Sequence, residues 1–361
     1  MNILFIPHVP NLSVINRVYE FAKNTNSYFL IWQIDNSSLK HKVVSQINSF
    51  SFKQDGKMLQ IPLLFKPQNI ATKFNTFMLN MLIDKLKIDV VVNANALLFD
   101  IKNIKVPVIY DLVDDHLEVN ESIGLTQQRV QKIKEDIKNS KGVVCVTSLL
   151  EEKVKKYNQN TITIENGIYF DRFKKAVSLK SSLGMEHKKV FGYIGGVEEW
   201  TGLEKAIENY LKIKDESNAF LVVGGNDGEY YKNLVKKYKD DVMFIGKVNP
   251  LHVADYFKTL DVGLIPFKLN DFTNNALPIK ALEYGYAGAV VVSTNLKYLK
   301  YKDYPFIKFC DINEFHKCMQ QNIEFKKYDF SLYDWEKLSK VFLSFIENKS
   351  IDKNIMEIKI I

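Results

Sequence analysis

Arginine is almost missing from this chain of 361 residues: Arg17, Arg129 and Arg172 stand against 46 lysines. A nucleic-acid surface built on guanidinium contacts is therefore not expected, and no basic stripe interleaved with aromatics replaces it. Cysteine is nearly as scarce. Cys145, Cys310 and Cys318 are too few and too scattered for a disulfide framework or a zinc site, so they read as packed thiols in a reducing compartment. No stretch approaches eighteen uninterrupted apolar residues, and no basic leader precedes the apolar run that opens the chain. Neither membrane spanning nor export is signalled, and the expected location is the cytoplasm. The first strand is not followed by G-x-G-x-x-G, which argues against a nicotinamide dehydrogenase.

What is present is ordinary globular composition, 46% hydrophobic and 25% charged, in a chain long enough for two cores. The net charge of +7 is uneven. Residues 1–175 hold 20 Lys and 3 Arg against 17 acids, whereas the remainder holds 26 Lys against 25 acids. Such a surplus suits an anionic membrane surface or an acidic acceptor; solvated lysine explains it equally well.

Short runs rich in Val and Ile alternate with helical patterns from end to end, the reading of a parallel sheet covered on both faces. Strands are expected around Asn2, Tyr28, Val90, Val108, Gly142 and Thr161 in the first half, and around Lys189, Phe220, Val242, Val262 and Ala289 in the second. From Ala71 to Lys87, the residues Phe74, Phe77, Met78, Met81, Leu82 and Leu86 recur at helical spacing, which fits core packing or a face turned to a membrane or acceptor. A polar stretch after Arg172 sets the boundary, giving a first domain over 1–175 and a second over 176–330. A closing segment over 331–361 begins with an amphipathic helix expected to pack back on the first domain. Two doubly wound domains in tandem leave a cleft, and ligands in such sheets gather at the carboxyl ends of the strands.

The stretch DVGLIPFKLNDFTNNALPIKALEYGYAGAVVVS, Asp261 to Ser293, carries the sharpest chemistry. A strand feeds a polar loop, Pro278 opens a helix, and Gly288 ends it. The free N–H groups of such a helix start suit a diphosphate, and Lys280 adds a full charge one turn in. Glu283, at i+3 from Lys280, shares its face and suits two ribose hydroxyls. This stretch resembles the donor-binding signature of the glycosyltransferase group 1 (family 4) superfamily, through Pro278, Lys280, Glu283, Tyr284 and Gly288. Tyr286 stands where the signature has Ala. Asn275 stands where many members carry a second glutamate, and it can bond sugar hydroxyls without supplying charge. Asn274 is taken with it as a donor contact.

By the same resemblance, VFGYIGGVEEWTGLEKAIENY is the glycine loop facing the donor, with Gly195 and Gly196 allowing close approach and Gly196 and Thr201 replacing basic residues of common members. Backbone around Gly246 and Val248 is expected at the nucleobase. IENGIYFDRF resembles the linker signature, with Asn166-Gly167 read as a tight turn of positive φ and the segment as structural.

In the first half, VIYDLVDDH places Asp114, Asp115 and His116 just past a strand end. An inverting transfer needs a carboxylate or imidazole there as general base, and Asp114 is the first choice; capping of the following helix is the alternative. His8 and Arg17 are expected on the acceptor side.

The resemblance thus implies an α/β protein of two doubly wound Rossmann-like domains facing across a cleft, the GT-B fold. It implies transfer of a sugar from a UDP- or GDP-linked donor to a glycan, a lipid-linked acceptor or another cell-surface polysaccharide or lipopolysaccharide. Neither metal nor cofactor is expected, nor a nucleic-acid partner; peripheral contact with the inner face of the plasma membrane is. A nucleotide-sugar 2-epimerase of the same fold and a non-catalytic nucleotide-sugar-binding protein remain the alternatives.

Overall fold

A computed structural model describes residues 1–8, 17–32, 51–94, 97–120, 124–225, 228–322 and 324–348. The chain divides into two compact units, Met1–Gly167 with Trp335–Ile361, and Ile168–Asp334. The break thus falls eight residues ahead of the boundary placed at 175/176 from the polar stretch, because the linker residues after Gly167 already pack on the second unit.

The first unit is built on an eight-stranded sheet. Its strands are β1 (Ile3–Ile6), β2 (Tyr28–Leu30), β3 (Lys53–Asp55), β4 (Met58–Gln60), β5 (Val90–Asn93), β6 (Val108–Leu112), β7 (Gly142–Cys145) and β8 (Thr161–Thr163). They lie in the order β3-β4-β2-β1-β5-β6-β7-β8, parallel except for the β3–β4 hairpin. β5, β6 and β7 are buried along their whole length, as apolar strands covered on both faces must be. The hairpin went unread in the sequence. Its signal was Asp55-Gly56, with Gly56 at φ +54° in the turn.

The helix Gln68–Leu86 divides the apolar set read from its sequence. Met78 and Leu82 enter the core with Phe74 and Leu86 partly buried against it, while Phe77 and Met81 are exposed; outside that set, Leu79 and Ile83 are buried and Ile70 is exposed. The helix Trp335–Ile346 closes this unit, with Phe342 stacked 4.5 Å from Phe21 and Trp335 edge-on to it at 5.5 Å. Gly167 is needed for a reason other than the expected turn, since its φ is not positive. A Cβ there would lie 2.6 Å from the Trp335 ring.

The second unit carries six parallel strands, β9 (Lys189–Gly195), β10 (Asn218–Gly224), β11 (Met243–Gly246), β12 (Val262–Ile265), β13 (Val290–Ser293) and β14 (Ile307–Phe309). Their order is β11-β10-β9-β12-β13-β14. The chain starts in the middle, moves outward to β11, then returns to the other side of β9 at β12, so the switch point lies between β9 and β12. β14 was missed in the sequence because three residues after Pro305 give too short a period to count. Cys310 and Cys318, expected as separate thiols, are joined in a disulfide eight residues apart; Cys145 is free and buried. Spacing could not show this, because the approach is made by the turn into the helix Phe315–Gln320.

Candidate functional sites in the two units

In the second unit, β9 and β12 stay paired only at Val262↔Phe191 and Gly263↔Gly192. β9 meanwhile remains with β10 as far as Gly224↔Gly195. The last residues of β9 therefore lose their ladder partner on the β12 side, at the switch point where such sheets collect ligands. Tyr284 packs beside them: its ring lies where a Cβ on Gly263 would have to stand, and its hydroxyl accepts the orphaned Ile194 N–H at 2.9 Å.

Period-two alternation puts Tyr193 and Gly195 on one face of β9, and there they meet Lys280. Its Nζ donates to Tyr193 Oη at 2.8 Å and lies 4.0 Å from the centre of that ring and 5.2 Å from that of Phe267. Tyr193 Oη in turn donates to the Gly196 carbonyl at 2.7 Å. Gly195 is at φ +140°, and a Cβ on it would come within 2.7 Å of Lys280 Nζ, so glycine is required by both backbone and space. Burial pulls the Lys280 ammonium down to about 7, against the pull of Glu283. Glu283, 5% exposed, is pushed up to about 7 by burial, opposed by Lys280 and Arg172. Among the described residues its carboxylate has no hydrogen bond.

Both groups sit on the helix Ile279–Ala287, which starts at Pro278 without a side-chain cap. A cap would occupy the N–H groups that an anion can use. Gly288 ends the helix at φ +93°. Tyr286, which departs from the signature, packs its ring on Phe170 at 4.8 Å, Phe173 at 5.2 Å and Phe330 at 5.6 Å. Tyr193 was the residue missed here; strand alternation from Gly195 was the signal that reached it.

The remaining donor-side residues are placed less pointedly. Asn275 is buried and gives its amide to the Asp271 carbonyl at 2.8 Å, and Asn274 Oδ1 accepts from Lys297 N–H at 3.2 Å. Both amides thus help to hold the loop after β12. Gly246 ends β11 at φ +77°, with open space where a Cβ would stand, and Val248 follows half-buried outside the ladder. Thr201 is fully buried, its hydroxyl on the Glu198 carbonyl at 2.6 Å.

In the first unit, His8, Asp114 and His116 follow the carboxyl ends of β1 and β6 and are linked through overlapping charges: Arg17 acts on His8 and Asp114, Asp115 on Asp114 and His116, and His8 on His116. Burial lowers His8, aided by Arg17 and opposed by Asp111, and its Nδ1 is buried without a partner among the described residues. His116 is held down to about 4 by burial and by His8. Asp114 is pushed up to about 7 by burial, with Arg17 pulling down and Asp115 pushing up.

Two residues grouped with them do other work. Asp115 Oδ2 accepts from Lys153 at 2.7 Å and its Oδ1 from the Leu117 N–H at 3.2 Å, so it closes a local turn and pairs with a lysine where a second catalytic carboxylate was expected. Arg17 is 5% exposed and bonds Asp111 at 2.8 Å, the Ile164 carbonyl at 2.8 Å and Asn166 Oδ1 at 3.2 Å. Expected at the acceptor, it instead ties the helix Arg17–Asn24 to β6 and to the linker. Its long-range partners, 94 and more residues away, are invisible to spacing.

The family model described as Glycosyl transferases group 1 matches residues 188–307, the strands and loops that build the second site. The putative teichuronic acid biosynthesis glycosyltransferase TuaH of Bacillus subtilis is 24% identical over 178 residues, which span 47% of this chain and 44% of that relative. Among solved structures, sucrose-phosphate synthase from Thermosynechococcus elongatus superposes with a TM-score of 0.74 at 13% identity, over 96% of this chain and 98% of the other. Anabaena HepE in complex with UDP gives 0.65 at 13% identity over 99% and 98%. A UDP-forming trehalose-phosphate synthase from Burkholderia xenovorans gives 0.66 at 11% identity over 96% and 99%. The two doubly wound units are those of the GT-B fold.

Proposed function

We infer, from a chain whose residues 188–307 match the family model described as Glycosyl transferases group 1, that it moves a sugar from a nucleoside-diphosphate sugar to a hydroxyl of a glycan or lipid-linked acceptor. The observation that carries this reading is Lys280. Its desolvated ammonium, held down to about 7, touches a tyrosine hydroxyl and ring faces and makes no ion pair among the described residues, although Glu283 acts on it through space, so it lacks a bonded anion. A diphosphate would supply that anion, with the uncapped helix start beside it. Glu283, buried and without a hydrogen bond among the described residues, has its oxygens open to the ribose hydroxyls. HepE, of the same fold, has been crystallised with UDP-glucose, which makes a uridine donor the first to try.

In this reading the acceptor oxygen gives its proton to Asp114 and forms the new bond to the anomeric carbon. The bond from that carbon to the diphosphate breaks, its electron pair leaving on the diphosphate, where Lys280 and the helix start stabilise the charge. A carboxylate poised at about 7 suits the task of a base near neutral pH. Transfer is expected to survive chelation by EDTA, since the leaving-group charge is met by protein groups. The teichuronic acid relative points to a bacterial cell-surface polysaccharide as acceptor.

The test is a thermal-shift panel of nucleotide sugars. A true donor at one hundred times its Kd adds about 2.7 kcal/mol to stability. Glu283→Ala should abolish the shift, whereas Asp114→Asn should keep it and lose roughly 100-fold or more in transfer. A shift that survives Glu283→Ala rejects the assignment, and a donor converted to its epimer without acceptor would favour the 2-epimerase.

Peripheral membrane contact is part of the proposal. Among the described residues no helix is long and apolar enough to cross a membrane. The helix Gln68–Leu86 nevertheless exposes Ile70, Phe77 and Met81 on one side, with Lys66, Lys73 and Lys85 exposed around them. Such a stripe suits an anionic lipid surface. Phe77→Asp should weaken sedimentation with phosphatidylglycerol vesicles without changing the nucleotide-sugar shift; unchanged sedimentation removes this part of the reading.

A further inference from the structure

Arg172 has no role in the chemistry above. It lies in the short helix Phe170–Lys174, inside the linker stretch whose sequence suggested only structure. Phe170 and Phe173, on either side of it, pack their rings on Tyr286, three residues beyond Glu283. These contacts fix the short helix against the helix that carries the donor site. Between them the Arg172 guanidinium stacks 3.9 Å from the centre of the Tyr169 ring. Its Nη1 is buried and has no hydrogen-bond partner among the described residues.

A buried guanidinium N–H without an acceptor is costly, and so is a buried carboxylate without a donor. Here the two lie within electrostatic reach of each other, yet no hydrogen bond joins them. A direct ion pair would occupy the carboxylate oxygens and leave a ligand little to bind. A positive charge at one remove stabilises the anion while leaving its lone pairs open.

We propose that Arg172 is a positioning residue of the donor site, its stacked guanidinium keeping Glu283 an anion so that both carboxylate oxygens accept ribose hydroxyl protons. This rests on the donor-site reading given above. The charged groups facing Glu283 are Lys280 on its own helix and Arg172 from the short helix; burial works against both by favouring the protonated acid.

The experiment measures the affinity of UDP-glucose and GDP-mannose between about pH 5 and 8, where neither sugar nucleotide changes charge and Glu283 does. In the wild-type chain affinity rises with pH as Glu283 ionises, and falls at higher pH as Lys280 loses its proton. Arg172→Gln should move the rising limb up by about one pH unit, weakening binding roughly tenfold on that limb and leaving the falling limb in place. Arg172→Lys keeps the charge but loses the planar stack, so its rising limb should stay near that of the wild type. A folded Gln variant with an unmoved limb overturns the proposal. So does a Lys variant that loses as much affinity as the Gln variant, which would assign Arg172 to stacking alone. Should the Gln variant not fold, the Lys variant decides, because charge and stacking predict opposite results for it: a wild-type limb supports the proposal and a lost one overturns it. If the wild-type chain binds neither probe, the donor-site reading itself fails, a result distinct from either outcome for Arg172.

Discussion

Each unit holds a cation at the carboxyl end of its sheet, Arg17 buried and Lys280 half-buried, and the two are treated in opposite ways. In the first, Arg17 is held by Asp111, a carbonyl and an asparagine, all within 3.2 Å. In the second, Lys280 meets one phenol and two ring faces, while Glu283 and Arg172 Nη1 make no hydrogen bond among the described residues. A fully paired buried charge is complete as it stands and serves the fold. A buried charge left unpaired costs stability, and the natural reason to keep it is a ligand that completes it. The contrast in partners, more than the difference in burial, therefore separates scaffold from site.

Breaking the paired side should have the largest effect. Arg17→Met leaves Asp111 buried and unpaired, and the first unit should lose about 3 to 5 kcal/mol, read as a fall in the denaturant midpoint. Loss of under about 1 kcal/mol would mean that the pairing is not what holds the helix Arg17–Asn24 in place.

The histidine in the first unit sharpens the contrast through pH. His116 is neutral in the folded chain down to about 4, while the unfolded chain takes up a proton below its ordinary value near 6.5. Between those values the unfolded state binds more protons, so stability rises with pH across the window and is complete above it. His116→Gln should flatten that rise, by about 2 kcal/mol in urea titrations at the two ends of the window. Asp114 works the other way between its ordinary value and about 7, so the variant should turn the slope downward with rising pH.

On the unpaired side, Lys280→Met should cost little stability, because it removes a desolvated cation that makes no ion pair among the described residues. It should weaken nucleotide-sugar binding by roughly 10- to 100-fold, the worth of a charge-assisted contact. A variant that unfolds instead would place Lys280 with Arg17 as scaffold. The smallest effect belongs to Gly195→Ala, whose methyl meets Lys280 Nζ and whose φ disfavours any side chain. A loss of about 1 kcal/mol together with a weaker nucleotide-sugar shift is expected; loss of stability with the shift intact would show that the glycine serves the backbone only.

Much of the second site could be read from residues near one another in the chain. Lys280 and Glu283 share a helix face by spacing alone, Pro278 and Gly288 mark the helix ends, and Gly195-Gly196 marks a close approach. Tyr193 was two residues from a glycine already singled out, on the same face of its strand. The contacts that span the sequence were not legible. Asp115 looked like Asp114 until Lys153 was found 38 residues away holding it. Arg17 looked like a surface cation until Asp111 was found beneath it.

The sequence by itself determined the alternation of strands and helices, the doubly wound class, and the helix that bears Lys280 and Glu283. These depend on periodicity and on neighbours within one turn, which hydrophobic burial and backbone hydrogen bonding read locally. Only the tertiary structure decided which buried charges are neutralised. Desolvation makes the state of a charge depend on every group within a few ångströms, and those groups are brought there by strand order and linker packing from distant parts of the chain.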